Sequence, residues 1–169
     1  MGHKIILCGG NGAGKTTTIR MLCGLSKPTS GEAFVLGRSI STGLDEVKKI
    51  SDISPQETSV APNLTVKENL EFMAQIYGMD KSEAESRVKA LMEKFSLTEV
   101  SNSKAKVLSG GWQRRLSIAM ALISEPQILF LDEPTLGLDV LARQELWNIL
   151  RELKGKMTII LTTHYMEEA

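Results

Sequence analysis

The run Gly9-Gly10-Asn11-Gly12-Ala13-Gly14-Lys15-Thr16 constrains this chain more than any other stretch because of its flanks. The apolar, strand-like residues Ile5 to Cys8 precede it, and a segment predicted as helix, Thr17 to Leu25, follows it. The pattern GxxxxGK[ST] between strand and helix predicts a loop whose backbone N–H groups point inward around the β- and γ-phosphates of a nucleotide, in conformations that a Cβ would obstruct. Lys15 adds a point positive charge, and the helix N-terminus adds a partial charge of roughly +0.5. Thr16 offers a hydroxyl to Mg²⁺. A glycine-rich hairpin would explain neither Lys15 nor Thr16, so the expected ligand is a nucleoside triphosphate.

The chain has 169 residues, of which 42% are hydrophobic, enough for one domain with a core and room for a subdomain. Twenty Lys plus Arg balance twenty Asp plus Glu. Composition therefore gives no global drive toward nucleic acid or anionic lipid, and no nucleic-acid partner is expected. No apolar run approaches the roughly 20 residues that span a bilayer, and the N-terminus lacks a basic-then-apolar secretory signal; the reading is a soluble, cytosolic chain. Cys8 and Cys23 form no CxxC pair and are expected as small buried residues of a strand and a helix.

Four β-branched or leucine-rich runs, Lys4 to Cys8, Ile50 to Ile53, Gln127 to Leu131 and Met157 to Leu161, alternate with helical segments. That alternation predicts a mostly parallel α/β sheet flanked by helices. Glu32 to Leu36, framed by glycines, predicts a partial antiparallel β edge. Thr65 and Glu68 form a capping box ahead of Val66, Leu70, Met73 and Ile76 at helical spacing. Asp80 caps a further helix, with Ala84, Val88, Leu91, Met92 and Phe95 inward and Glu83, Glu85, Arg87 and Lys89 toward water. The expected organisation is a single domain over 1–169, with a phosphate-binding core at 1–56 and 109–169 and an inserted helical subdomain at 57–108.

The strand Ile128 to Leu131 delivers Asp132 and Glu133 at its C-terminal end, where ligands of α/β sheets collect. Asp132 is expected to hold the Mg²⁺ shell, and Glu133 to orient and deprotonate an attacking water. His164 follows the last strand at the same edge, placed for a γ-phosphate contact or an orienting bond to Glu133. Gln56, after Ser54-Pro55, is placed to reach Mg²⁺ or the attacking water where the core meets the helical subdomain. Leu108-Ser109-Gly110-Gly111 opens a helix with the apolar face Trp112, Leu116, Ala119, Met120 and Ile123; Ser109 is its N-cap, and its exposed N–H groups make a second anion site.

In this order the residues resemble the nucleotide-binding domain of ATP-binding cassette (ABC) proteins, across essentially the whole chain. The resemblance makes the fold a P-loop NTPase and the ligand ATP with Mg²⁺. It implies nucleotide contacts from Gly9, Gly10, Asn11, Gly12, Ala13, Gly14, Lys15, Thr16 and Thr17, metal contacts from Thr16, Gln56 and Asp132, and catalytic roles for Glu133, Gln56 and His164, the last as the switch histidine. In that family two such domains pair head to tail, so the signature Ser109, Gly110 and Gly111, with Asp139 of the D-loop, completes the ATP site of a second domain. Closure and opening are passed through the Q-loop at Gln56 and the helical subdomain to transmembrane permease domains, which places the chain at the cytoplasmic face of the membrane. The strings from Trp112 to Ser117, from Gly137 to Val140 and from Thr162 to Glu168 look like the drug-resistance exporter branch of ABC-2 type.

Two departures stand out. Trp112 occupies a position where most signatures carry glutamine. The phosphate loop begins at Gly9, whereas the family places several strands and an adenine-stacking aromatic before it, and the chain stops soon after His164. The expectation is an incomplete domain, with open sheet edges, that binds ATP weakly and with poor base selectivity. Two alternatives to transport remain open to the sequence. One is an ABC-type ATPase of DNA repair or translation, against which stand the absence of long heptads, CxxC pairs and a tandem cassette. The other is an ATP-binding switch without turnover, against which stands Glu133.

Overall fold

A computed structural model describes residues 2–153 and 155–165. The chain divides into two compact units. The first contains residues up to Gln56, Pro126–Pro134 and the described residues beyond 154. In chain order it carries β1 (Lys4–Cys8), α1 (Lys15–Leu22), β2 (Phe34–Val35), β3 (Arg38–Ser39), α2 (Leu44–Ile50), β4 (Ser51–Ser54), β5 (Ile128–Asp132) and β6 (Thr158–Thr163). Strands β1, β6, β5 and β4 form a sheet in that order, and every neighbouring pair is parallel. The apolar runs are thus the parallel strands the alternation predicts, and β5 is buried along its whole length, as its unbroken apolar run requires.

Ile19 and Cys23 at α1, Val47 and Ile50 of α2, Val35 and Ile40 near the hairpin, and Ile128 and Phe130 of β5 form the core of this unit. The antiparallel pair β2–β3 is a small sheet of its own, shorter than the Glu32 to Leu36 run. Leu36 and Gly37 join its strands with φ of 49° and 78°, the two positive values that a tight hairpin turn needs. Helix α1 stops at Leu22, short of Leu25, because Gly24 turns left-handed at φ 70° and Leu25 N–H returns to Arg20 O at 2.7 Å.

The second unit, Glu57–Glu125 and Thr135–Leu153, is helical: α3 (Val66–Ile76), α4 (Lys81–Lys94), α5 (Gly110–Ala121) and α6 (Val140–Leu153). It takes in residues 57–108 together with 109–125 and 135–153. The capping box is complete, with Glu68 N–H donating to Thr65 Oγ1 at 3.1 Å and Thr65 N–H to Glu68 Oε2 at 2.7 Å. Asp80 Oδ1 accepts from Glu83 N–H at 2.9 Å. The buried face of α3 is Val66, Asn69, Leu70 and Ala74; Ile76, two positions past Ala74, points away and is 59% exposed. Asn69 belongs to this face because its side chain ties down the preceding loop, accepting from Ala61 N–H and donating to Ala61 O and Thr65 O.

Arg87 departs from the water-facing expectation. Its guanidinium donates to Leu122 O and Ile123 O and pairs with Glu125, satisfying carbonyls that the end of α5 leaves open. From Arg114 to Ala121 every residue of α5 is buried, so the helix has no single apolar face, and Ile123 lies past its end.

The cysteines also separate. Cys23 is buried, but Cys8 is exposed, because among the described residues β6 is the one strand that pairs with β1, which leaves β1 at the edge. Burial pushes the Cys23 thiol up to about 12, helped by the negative charges of Asp52 and Asp132. A thiol reagent at pH 8 is expected to modify Cys8 in the native protein and Cys23 only after unfolding. Mass-spectrometric mapping of the labelled sites checks this.

Candidate nucleotide site

The phosphate loop turns through Gly12 at φ 80° and Gly14 at φ 85°, and nothing lies within 4 Å of where a Cβ would stand on Gly10, Gly12 or Gly14. Open space with left-handed backbone is the form of a cradle that side chains would fill. No side chain caps the first turn of α1, whose N-cap is Gly14, so its leading N–H groups face the loop without a built-in acceptor. Lys15 Nζ donates to Gly9 O at 2.6 Å and Gly10 O at 3.1 Å. An ammonium thus sits within the cradle, which suits polyphosphate.

Two consecutive residues of α1 meet two consecutive acids of the β5 end. Lys15 Nζ lies 3.3 Å from Glu133 Oε1, and Thr16 Oγ1 donates to Asp132 Oδ1 at 3.1 Å. From β6, His164 Nδ1 lies 2.9 Å from Glu133 Oε2. Both acids are buried, at 3% and 6% exposure, where a carboxylate is tolerated only with partners. Glu133 also holds a backbone φ of 47°, a conformation that costs a residue with a side chain about 1–3 kcal/mol.

A residue missed by sequence reasoning completes the group. Thr162, paired in register with Asp132 across β5 and β6, donates from Oγ1 to Asp132 Oδ1 at 2.6 Å and accepts Glu133 N–H at 2.9 Å. Its signal lay in the register of two strands, which a one-dimensional reading lacks. Gln56 stands exposed two residues past the end of β4, the strand that neighbours β5. Thr17 is exposed on the first turn of α1. Met166, Glu167 and Glu168, part of the exporter-like string, lie outside the described residues.

Mg²⁺ takes oxygen ligands and keeps several from waters and substrate phosphates. Thr16 Oγ1 and Asp132 Oδ1, hard oxygens already side by side, fit that ion. Among the described residues no group of three or more His, Cys, Asp or Glu side chains could hold a metal ion.

The remaining candidates lie in the second unit. Ser109 is the N-cap of α5, but its hydroxyl makes no capping bond. Gly111 lets α5 approach α6 closely, since a Cβ there would stand 3.1 Å from Ala142 Cβ. Asp139 Oδ1 accepts Ala142 N–H at 2.9 Å, starting α6. Ser109, Gly111, Trp112 and Asp139 line one open cleft of about 830 Å³. Arg115 lies over the Trp112 ring, 4.7 Å from its centroid, and pairs with Glu145; burial lowers its guanidinium below the usual arginine value.

Comparison with known proteins shows the family and the fold. A family model described as "ABC transporter" matches residues 1–136. The chain is 44% identical over 168 residues to the Homo sapiens "Phospholipid-transporting ATPase ABCA3", covering 99% of this chain and 10% of that protein. It is 44% identical over 165 residues to the Arabidopsis thaliana "ABC transporter A family member 2", covering 96% of this chain and 17% of the relative. The chain thus spans under a fifth of the length of these relatives. Among solved structures it resembles cbiO1 from Clostridium perfringens, described as part of the ABC transporter complex cbiONQ, with TM-score 0.86 and 28% identity over 96% of this chain and 67% of that one. An ATP-binding subunit of an ABC transporter superposes with TM-score 0.82 at 33% identity, covering 99% of this chain and 70% of the other. No helix among the described residues is long and apolar enough to cross a membrane.

Because Gly14 sits in left-handed backbone with open space around it, Gly14→Ala is expected to lower stability by about 1–2 kcal/mol through backbone strain alone. Urea denaturation measures the shift, and an unchanged midpoint would contradict the strained loop.

Proposed function

This chain belongs to the ABC transporter family, and from that membership and the site's geometry we propose that it binds and hydrolyses ATP to drive a transporter. The observation that carries the reading is the convergence of Lys15, Thr16, Asp132, Glu133 and His164 within contact distance. In this reading the loop from Gly9 to Thr17 grips the phosphates, and Lys15 Nζ turns from Glu133 Oε1 to the phosphate oxygens. That leaves Oε1 to accept a proton from water as the water attacks the γ-phosphorus and the bond to the β-bridging oxygen breaks. His164 orients Glu133 through Oε2, and Gln56 positions the water or meets the metal. Thr16 and Asp132 hold Mg²⁺, which when bound neutralises charge on the phosphate oxygens.

The second unit carries the complementary half. Ser109, Gly110 and Gly111, with Asp139, cap the ATP held by a second nucleotide-binding domain, head to tail, so that each copy completes the other's site. Such a contact is self-complementary, and two buried nucleotides stabilise it until they are hydrolysed. The dimer works on transmembrane permease domains at the cytoplasmic face of the membrane, in the export direction. Similarity to a phospholipid-transporting ATPase favours phospholipid as the cargo class.

Glu133→Gln in the transporter carrying this domain is expected to lower ATP turnover by about 10²–10⁴-fold while nucleotide binding persists; phosphate release at the unmodified rate removes Glu133 as the base. Ser109→Ala is expected to weaken ATP-dependent dimerisation, read by light scattering, and to leave nucleotide affinity of the monomer nearly intact. Equal loss of both would sink the trans-capping role.

A further inference from the structure

We propose that Thr162 is a positioning residue that sets the direction of both carboxylates of the site, an inference that rests on the ATP-binding reading above. A threonine hydroxyl has one proton to give and lone pairs to accept with. In Thr162 the proton goes to Asp132 Oδ1 at 2.6 Å, and a lone pair receives Glu133 N–H at 2.9 Å. The first is a short bond to an acid, of the charge-assisted kind. The second holds the backbone of Glu133, a residue with a side chain that sits at a left-handed φ of 47°.

The residue is fully buried, so no water competes for either bond. Register fixes its reach, because Asp132 and Thr162 are direct partners on parallel strands. Thr16 Oγ1 approaches the same Asp132 oxygen at 3.1 Å, so two hydroxyls, one from α1 and one from β6, hold a single carboxylate oxygen. Removing the Thr162 hydroxyl therefore does two things at once. It frees Asp132 to rotate away from Thr16, and it leaves Glu133 N–H buried without its acceptor, so the turn that carries the Glu133 side chain toward Lys15 and His164 loses its anchor. Partners of metal-ligating groups matter in this way, typically by 10–100-fold in metal affinity.

The test compares Thr162→Val, which keeps the shape and removes the hydroxyl, with Thr162→Ser, which keeps the hydroxyl; Thr162→Ala replaces the valine variant should that one unfold. Two readouts are taken on the purified chain. The first is ATP affinity by calorimetry with Mg²⁺ and with a chelator. The second is the Glu133 amide proton resonance in nucleotide-free, metal-free protein. The expected result is that Thr162→Val loses roughly tenfold or more of the Mg²⁺-dependent gain in affinity, keeps its metal-free affinity, and shows an upfield-shifted Glu133 amide, while Thr162→Ser restores both readouts. A full Mg²⁺ gain in the hydroxyl-free variant, an unmoved amide, or failure of serine to restore overturns the positioning role. Absence of ATP binding by the unmodified chain overturns the nucleotide reading instead, and the amide readout still decides the geometry.

Discussion

Adjacent residues of an extended strand send their side chains to opposite faces, yet the candidate site uses Asp132 and Glu133 together. The conflict is resolved at one backbone angle. Glu133 leaves β5 in the left-handed region, and its carboxylate comes to rest between Lys15 and His164 while Asp132 stays with Thr16. A bend of that kind persists only where surrounding groups over-determine it. Here they are the Thr162 hydroxyl on the peptide N–H and two basic side chains on the carboxylate oxygens. The arrangement of the first unit follows from this need. Strand β6 must lie against β5 to supply Thr162 and His164, and β1 must lie against β6 to bring the phosphate loop within reach.

Candidate residues that lie in contiguous motifs could be picked out of the sequence. The phosphate loop, the acids at a strand end, the histidine after the last strand and the capping box at Thr65 each depend on neighbours a few positions away, so spacing alone located them. The parallel sheet was legible for the same reason, since apolar runs bounded by turns identify strands. What spacing could not supply was strand order. Thr162 is an unremarkable threonine until β6 is known to pair with β5, and Cys8 reads as a core residue until β1 is known to lie at an edge.

The second unit shows the same limit in helices. Arg87 has the periodicity of a solvent-facing residue, and its hydrogen bonds to Leu122 O and Ile123 O depend on where another helix ends. Ile76 fits a helical stripe in sequence, but the buried face of α3 follows Asn69 and Ala74, because a buried amide is needed to hold the loop from Ala61 to Thr65. Arg87 and Gly111 act at opposite ends of α5. Arg87 fixes the C-terminal carbonyls of α5, while Gly111 permits its N-terminal turn to close on α6. The turn that presents Ser109 is thus held from both ends of its helix.

The strand order also has a temporal side. β1 is made well before β6, yet β6 lies between β1 and β5, with Lys4 opposite Ile159 and Ile128 opposite Thr158. A chain emerging from the ribosome can pair β4 with β5 early, but β1 cannot join β6 until synthesis has passed Thr163. Pairings so distant in sequence form slowly, and an unpaired strand edge is open to the wrong partner in the interval. The insertion of that later strand therefore does more than join β1 to β5. It closes the gap between the phosphate loop and the acids, so the chain cannot acquire its site in advance of its fold.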